Sequence, residues 1–178
     1  MKKIFLFFIS ALLTSVASAQ YKAIDQGSTV QFAIKNFGFT VNGTFTGVQG
    51  DISFDPQNVN ASSFDVSVNA GSVNTDNHLR DHHLQGETYF DVKNYPRIRF
   101  VSVNVTSNGK NGAFNMTGKL TIKKQTRTVS FPFTATPTTD GYLFKGSFTI
   151  NRKDFNVGGT STIADKLDIS LNILAKKS

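Results

Sequence analysis

The chain has 178 residues and a formal charge of +7, with 17 Phe, four Tyr, no Trp and no Cys. Without cysteine there are no disulfides and no thiolate metal sites, so stability has to come from a packed core. The charge, +5 once Lys2 and Lys3 are set aside, is spread thinly and lacks the concentrated basic footprint that sequence-independent nucleic-acid binding needs.

Taken from the start, Lys2 and Lys3 form a short basic region, Ile4 to Val16 an apolar stretch, and Ala17-Ser18-Ala19 a small-residue cleavage site. That pattern predicts a signal peptide over residues 1–19, a mature chain from Gln20, and a periplasmic or secreted protein. The apolar stretch is too short to cross a bilayer, and no later window approaches the roughly 20 apolar residues a spanning helix needs. No cysteine follows the cleavage site to take a lipid anchor. About 160 remaining residues are enough for one domain, expected over 20–178, with a substantial core of its own.

Alternation with period two then dominates, the mark of strands with one apolar face. Val30, Phe32 and Ile34 share a phase, and Val41 and Phe45 follow beyond Gly38. Val48, Ile52 and Phe54 sit on the opposite parity, so the phase switches near Gly47, a place for a bulge or sharp bend. Asp55-Pro56-Gln57-Asn58 is a turn by composition, after which Phe64, Val66, Val68 and Ala70 give the next strand. From Asn74 to Lys93 alternation stops, and the stretch reads as a connection with a short helical turn or two. Tyr95-Pro96 restarts the sheet. Ile98 and Phe100 take one parity and Val101, Val103 and Val105 the other, which implies a bulge or a strand facing both ways. Asn108-Gly109-Lys110-Asn111-Gly112 is a strong hairpin turn. Phe114, Met116, Leu120 and Ile122 alternate next, then Val129, Phe131 and Phe133. Asp140-Gly141 turns the chain into Tyr142, Phe144, Phe148 and Ile150, and Leu167, Ile169, Leu171 and Ile173 end it.

The count is about eight strands joined mostly by short turns, with no amphipathic helix long enough for a parallel crossover. The expected fold is all-β and antiparallel, a barrel or a sandwich. A closed barrel of about eight strands is either just filled by its side chains or holds one small ligand.

Few residues suggest chemistry. His78, His82 and His83 are all the histidines present, in one connection with Asp76, Asp81 and Glu87. On a helix, His78 and His82 would stand one turn apart as metal ligands can, yet there is no His-Glu-x-x-His pattern and no assignable third ligand. No Gly-x-Ser-x-Gly elbow occurs, and Gly158-Gly159 lacks the strand-to-helix setting of a phosphate loop. Asp and Glu are sparse and lie mostly in turns. No catalytic residue, metal or cofactor is therefore assigned, and a metal-assisted enzyme using His78, His82 and His83 stands only as an alternative. Arg152 and Asp154 follow the Phe148, Ile150 strand, where a buried pair would close the barrel mouth because two desolvated charges have to pair.

In order along the chain, GTFTGVQGDISFDP, RDHHLQGETYFDVKNYPRIRF, GKLTIKKQTRTVSFP and NRKDFNVGG resemble the YceI-like family, periplasmic lipocalin-like proteins associated with polyisoprenoid binding. The most specific block is Arg80-Asp81-x-His83-Leu84, then Phe90-Asp91, then Tyr95-Pro96-x-Ile98-x-Phe100. The resemblance implies a closed antiparallel barrel of about eight strands, lipocalin-like, with the segment from His78 to Phe90 over or beside it. It also implies a lumen that takes an isoprenoid or other long-chain lipid. Lys124 and Asn156 depart from the family pattern, each standing where Gly is common.

If the stronger apolar parity of each strand faces inward, the early strands line the lumen with Phe32, Ile34, Phe45 and Ile52. The middle strands add Phe100, Phe114 and Met116, and the late strands Phe131, Phe144, Phe148, Ile169 and Leu171. A polar headgroup would meet Arg80, His82, His83 or Arg152 near one mouth. A homodimer is compatible with this reading. A filled barrel that binds partner molecules on its surface is the other alternative.

Overall fold

The computed structural model describes residues 20–178 except 110–111 and 160–161; the expected signal peptide and the centre of the 108–112 turn lie outside the described residues. The longest strand, β1 (Gln20–Asn36), runs antiparallel to the last, β9 (Ile163–Lys177), along nearly its whole length. Its other edge carries two short strands in tandem. β2 (Phe39–Phe45) pairs with residues 30–36, and β3 (Gln49–Ser53) pairs with residues 20–24. These two share one position in the sheet. The order then runs through β4 (Ser63–Asn69), β5 (Arg97–Ser107), β6 (Ala113–Ile122), β7 (Gln125–Pro137) and β8 (Gly141–Asn151) to β9, whose pairing with β1 closes an antiparallel barrel of eight positions. The β1–β9 pairing leaves neither of these two long strands as an exposed edge.

The parity switches have local causes. Gly47, at φ 71°, is the corner between β2 and β3, and its carbonyl accepts a 2.8 Å hydrogen bond from Arg97. In β5 the register slips between Ser102 and Asn104, so Val103 is 64% exposed while Val105 on the far side of the bulge is fully buried. Ala70, expected at the end of a strand, instead begins a 3-10 turn after β4. The helical turn in the long connection is α1 (His78–Gln85), started by the Asn77 side chain, which accepts from the Arg80 N–H at 3.0 Å.

Of the two family glycine positions, Asn156 is left-handed, at φ 54°, and ends the 3-10 turn Arg152–Phe155. Asn is among the non-glycine residues that enter this region most readily. At the β6–β7 hairpin the left-handed residue is Lys123, not Lys124.

One end of the barrel is packed shut. Phe54, 1% exposed, makes edge contacts with Phe114, Tyr142 and Phe144 at ring separations of 5.1 to 5.4 Å, and Tyr21 meets Tyr142 at 5.4 Å. Such edge-to-face aromatic pairs add to the burial that fixes them.

Candidate functional site

Above this aromatic floor the barrel encloses a cavity of about 180 Å³. At ~10–15 Å³ of cavity per water, that is room for on the order of a dozen water-sized groups. The wall is apolar almost throughout. Its polar residues are Gln31, Ser67, Arg99 and Lys145, and all but Ser67 are exposed on the outer face.

Of the residues expected to line the lumen, Phe32, Phe45, Ile52, Phe100, Met116, Phe131, Phe144, Phe148, Ile169 and Leu171 are in the wall. Phe114 and Ile34 are not. Phe114 belongs to the floor, held between Phe54 at 5.4 Å and Phe133 at 5.3 Å. Ile34 packs with Phe32, Phe45 and Leu84 near the other end, beyond the cavity wall. The pattern of alternation overlooked Phe90, which lines the cavity although it comes from the connection between β4 and β5. Its only sequence signal is the Phe90-Asp91 pair in the family block.

Glycines keep the wall rings out of the middle. Phe32 lies over Gly43 on the neighbouring strand, and Phe100 over Gly118; a Cβ on either glycine would stand 2.2 Å from the nearest ring atom. Each ring can fold back against bare backbone instead of standing across the lumen. Between β7 and β8 the wall has a different construction. Their ladder joins residues 133–137 to 142–146 and goes no further. Beyond it Phe131 stacks on Phe148 at 4.6 Å, and the fully buried Phe155 packs into the cluster behind them.

At the end opposite the floor, residues 84–90 form a strap. Phe90 meets Phe45 edge-on at 5.3 Å. The Thr88 carbonyl accepts from Gly158 in the β8–β9 connection at 2.8 Å, and the Glu87 carbonyl accepts from Lys123 in the β6–β7 hairpin at 2.9 Å. With the floor packed shut, access to the cavity falls to this end, where Phe90, Ile98 and Leu167 line it and are partly buried.

The charged residues of this end mostly hold the backbone in place. Asp81, 8% exposed, accepts from the Thr75 N–H at 2.9 Å and from its hydroxyl at 2.6 Å. Arg80 donates to the Thr75 hydroxyl and carbonyl, each at 2.7 Å. Arg152, 4% exposed, does not pair with Asp154, which lies at the surface, but with Asp165 at 3.3 Å. It also donates to the carbonyls of Val157, Gly159, Ile163 and Ala164, so it organises the β8–β9 connection. A buried guanidinium needs such a set of acceptors to offset its desolvation. His78, His82 and His83 are all exposed, and Asp81 is turned away from them toward Thr75. No group of three or more His, Asp or Glu side chains that could hold a metal occurs among the described residues.

The displaced pKa values also belong to the framework. The two-pronged Arg99 contact holds the Asp65 carboxyl below the usual carboxylate range. Burial, with Tyr142 and Asp55 nearby, pushes the Tyr21 phenol up, and burial draws the Arg97 guanidinium down. None of Asp65, Tyr21 or Arg97 lines the cavity.

Known proteins share both the sequence and this architecture. A UPF0312 protein of Pseudomonas savastanoi pv. phaseolicola is 31% identical over 154 residues, spanning 83% of this chain and 80% of its own. A UPF0312 protein of Yersinia pseudotuberculosis is 31% identical over 80% of this chain and 78% of its own. Among solved structures, BcnA of Burkholderia cenocepacia superposes with a TM-score of 0.80 at 28% identity, covering 85% of this chain and 98% of BcnA. A polyisoprenoid binding domain from Saccharophagus degradans shares the fold with a TM-score of 0.71 at 10% identity, over 89% of this chain and 98% of that one. The YceI-like domain model matches residues 21–175, from the start of β1 nearly to the end of β9, and the chain belongs to the YceI-like family.

Proposed function

We propose that the protein binds and carries a long apolar lipid, an isoprenoid chain or one like it, in the barrel lumen, and that it works in the periplasm or outside the cell. The observation that carries this reading is an apolar cavity with a sealed floor and a strapped upper end, of the kind that holds a ligand by burial and not by chemistry. The name of the Saccharophagus neighbour supports the ligand class, and the pattern of residues 1–19 supports export. Binding is the activity we infer, since the wall offers no paired acid and base to a reacting group.

Burial of a prenyl chain contributes ~0.8 kcal/mol per CH₂, so each five-carbon unit is worth roughly 4 kcal/mol in gross terms. Several units would pass the practical affinity limit near −18 to −21 kcal/mol, so ordering of the chain has to offset much of the gain. Selection among ligands then rests on the depth and width of the lumen.

Native mass spectrometry of the protein expressed with its own leader, followed by organic extraction, tests this. A discrete mass excess that extracts as a prenyl chain or similar lipid is expected, and it should be lost in Phe148→Glu and in the uncharged filling variant Ile169→Trp. A bare polypeptide mass that persists after incubation with isoprenoid lipids would overturn the reading.

A further inference from the structure

We propose that the tip of the β1–β2 hairpin, Phe37-Gly38-Phe39, inserts into a lipid bilayer and docks the strapped end of the barrel against it; this rests on the lumen being the lipid site. The tip is built against the ordinary rules for a soluble turn. Phe37 is 72% and Phe39 77% exposed, whereas every other Phe and Tyr among the described residues is wholly or partly buried. Two-residue hairpin turns of this kind favour Asn-Gly because both central residues adopt positive φ. Phe37 and Gly38 sit at φ 48° and 82°, so a bulky aromatic occupies a left-handed position where Asn would rest more easily. Backbone held in such a sparsely populated region tends to mark a functional position.

The tip stands where a bilayer would have to be met. Asn36 pairs with Ile163 at the start of β9, and its side chain accepts from Thr162 at 3.0 Å, which ties the hairpin to the β8–β9 connection at the strapped end. Leu79, 82% exposed, lies on α1 just before that strap. Lys35, exposed and one ladder pair below the tip, stands at the level of lipid phosphates when the rings are inserted.

The need for docking follows from the ligand. Each isoprene unit that passes through water slows escape from a membrane by about a thousandfold, so a chain of several units cannot reach the lumen by free diffusion at a useful rate. Contact between the cavity's strapped end and the bilayer removes the water step.

The test uses processed full-length protein and large unilamellar vesicles of phosphatidylethanolamine and phosphatidylglycerol. Wild type should cosediment with them and keep doing so at high salt, because the attachment is apolar. Phe37→Asn combined with Phe39→Thr should lower the partition coefficient by on the order of a hundredfold, about tenfold per ring. Phe37→Asn alone restores the preferred turn residue, so its melting temperature should hold or rise while vesicle binding falls. Opposite movement of the two readouts separates docking from misfolding. Equal cosedimentation of wild type and the double variant would overturn the proposal. So would absent vesicle binding together with a concentration-dependent dimer that the double variant abolishes, since a second copy would then cover the tip. Loading with prenyl lipid from detergent solution, where no bilayer is met, should be the same in both proteins; failure of that loading alone indicts the lumen reading and not the hairpin.

Discussion

One methyl group at Gly43 tests the lumen more directly than any charged substitution. A Cβ there would lie 2.2 Å from Cζ, 2.5 Å from Cε1 and 3.0 Å from Cε2 of Phe32, so Gly43→Ala forces that ring off the strand. Phe32 is 8% exposed and already meets Phe45 at 5.7 Å, so the space left to it is the cavity it lines. Overpacking of this kind costs ~1–3 kcal/mol, or a fall in melting temperature of several degrees at ~2–4 °C per kcal/mol. A ring turned into the lumen takes the place of about one isoprene unit, worth roughly 4 kcal/mol in gross terms. Even a third of that is a tenfold loss of affinity. Thermal unfolding and competition for a fluorescent prenyl probe in detergent measure the two effects. Gly43→Ala with Phe32→Leu should recover the affinity because the shorter side chain clears the methyl. A variant destabilised as calculated that binds within twofold of wild type would refute the argument that the glycine keeps the lumen open.

Other substitutions probe the ends and the frame. Phe54→Ala removes a floor ring that is 1% exposed and should cost ~3–5 kcal/mol; chemical denaturation reads that loss, and extraction should return a longer bound chain if the floor sets ligand length. Arg152→Leu removes the donor to four backbone carbonyls and leaves Asp165 with Lys153 at 2.9 Å, and should destabilise by ~3–5 kcal/mol on the same measurement. Asp81→Ala removes both hydrogen bonds to Thr75 and should speed amide exchange across residues 75–92 well before the strands respond. For Asp65, whose folded pKa lies below its unfolded value, the Arg99 pair stabilises fully above the unfolded pKa of about 3.9 and fades as pH falls through the folded one. The gap between wild type and Asp65→Asn should therefore be small and constant at neutral pH, as an exposed pair dictates, and close in acid.

The strands that carry strong alternation were legible because a barrel wall has two faces with different solvents. Phe114, Met116, Leu120 and Ile122 are each less than a tenth exposed, as their parity requires. Val101 and Val103 against Ile98 and Phe100 call for either a bulge or a strand facing both ways, and the register slip between Ser102 and Asn104 shows it is a bulge. Local pattern did not announce the first half of β1. Tyr21 and Ala23 face inward, but the register slips between Ile24 and Thr29 and breaks the period before it can be read. Nor does periodicity say that β2 and β3 share one place beside β1, since that is a fact of pairing over long sequence separation. The wall residues followed from parity until a residue came from outside the strands, as Phe90 does. Phe114 was misplaced for a related reason: parity tells in from out but not how far along the axis a side chain sits. Position after the Phe148, Ile150 strand left Arg152 open between a buried and a surface pair with Asp154; it is buried, and its partner is Asp165, which the start of β9 brings to it.

The short ladder between β7 and β8 gives the lumen a compliance that a fully bonded barrel lacks. Widening a cylinder of hydrogen bonds means leaving buried groups unsatisfied, at ~1–3 kcal/mol each. Here the upper wall between Pro132 and Ser147 is held by ring contacts such as Phe131 on Phe148, worth ~0.5–1.5 kcal/mol beyond their burial and tolerant of small displacements. The barrel thus behaves as a sleeve with one elastic seam above a rigid base. On the proposed function, the seam would let girth adapt to what is inserted while the aromatic floor would set a hard stop, so such a sleeve would discriminate between ligands by length more sharply than by thickness.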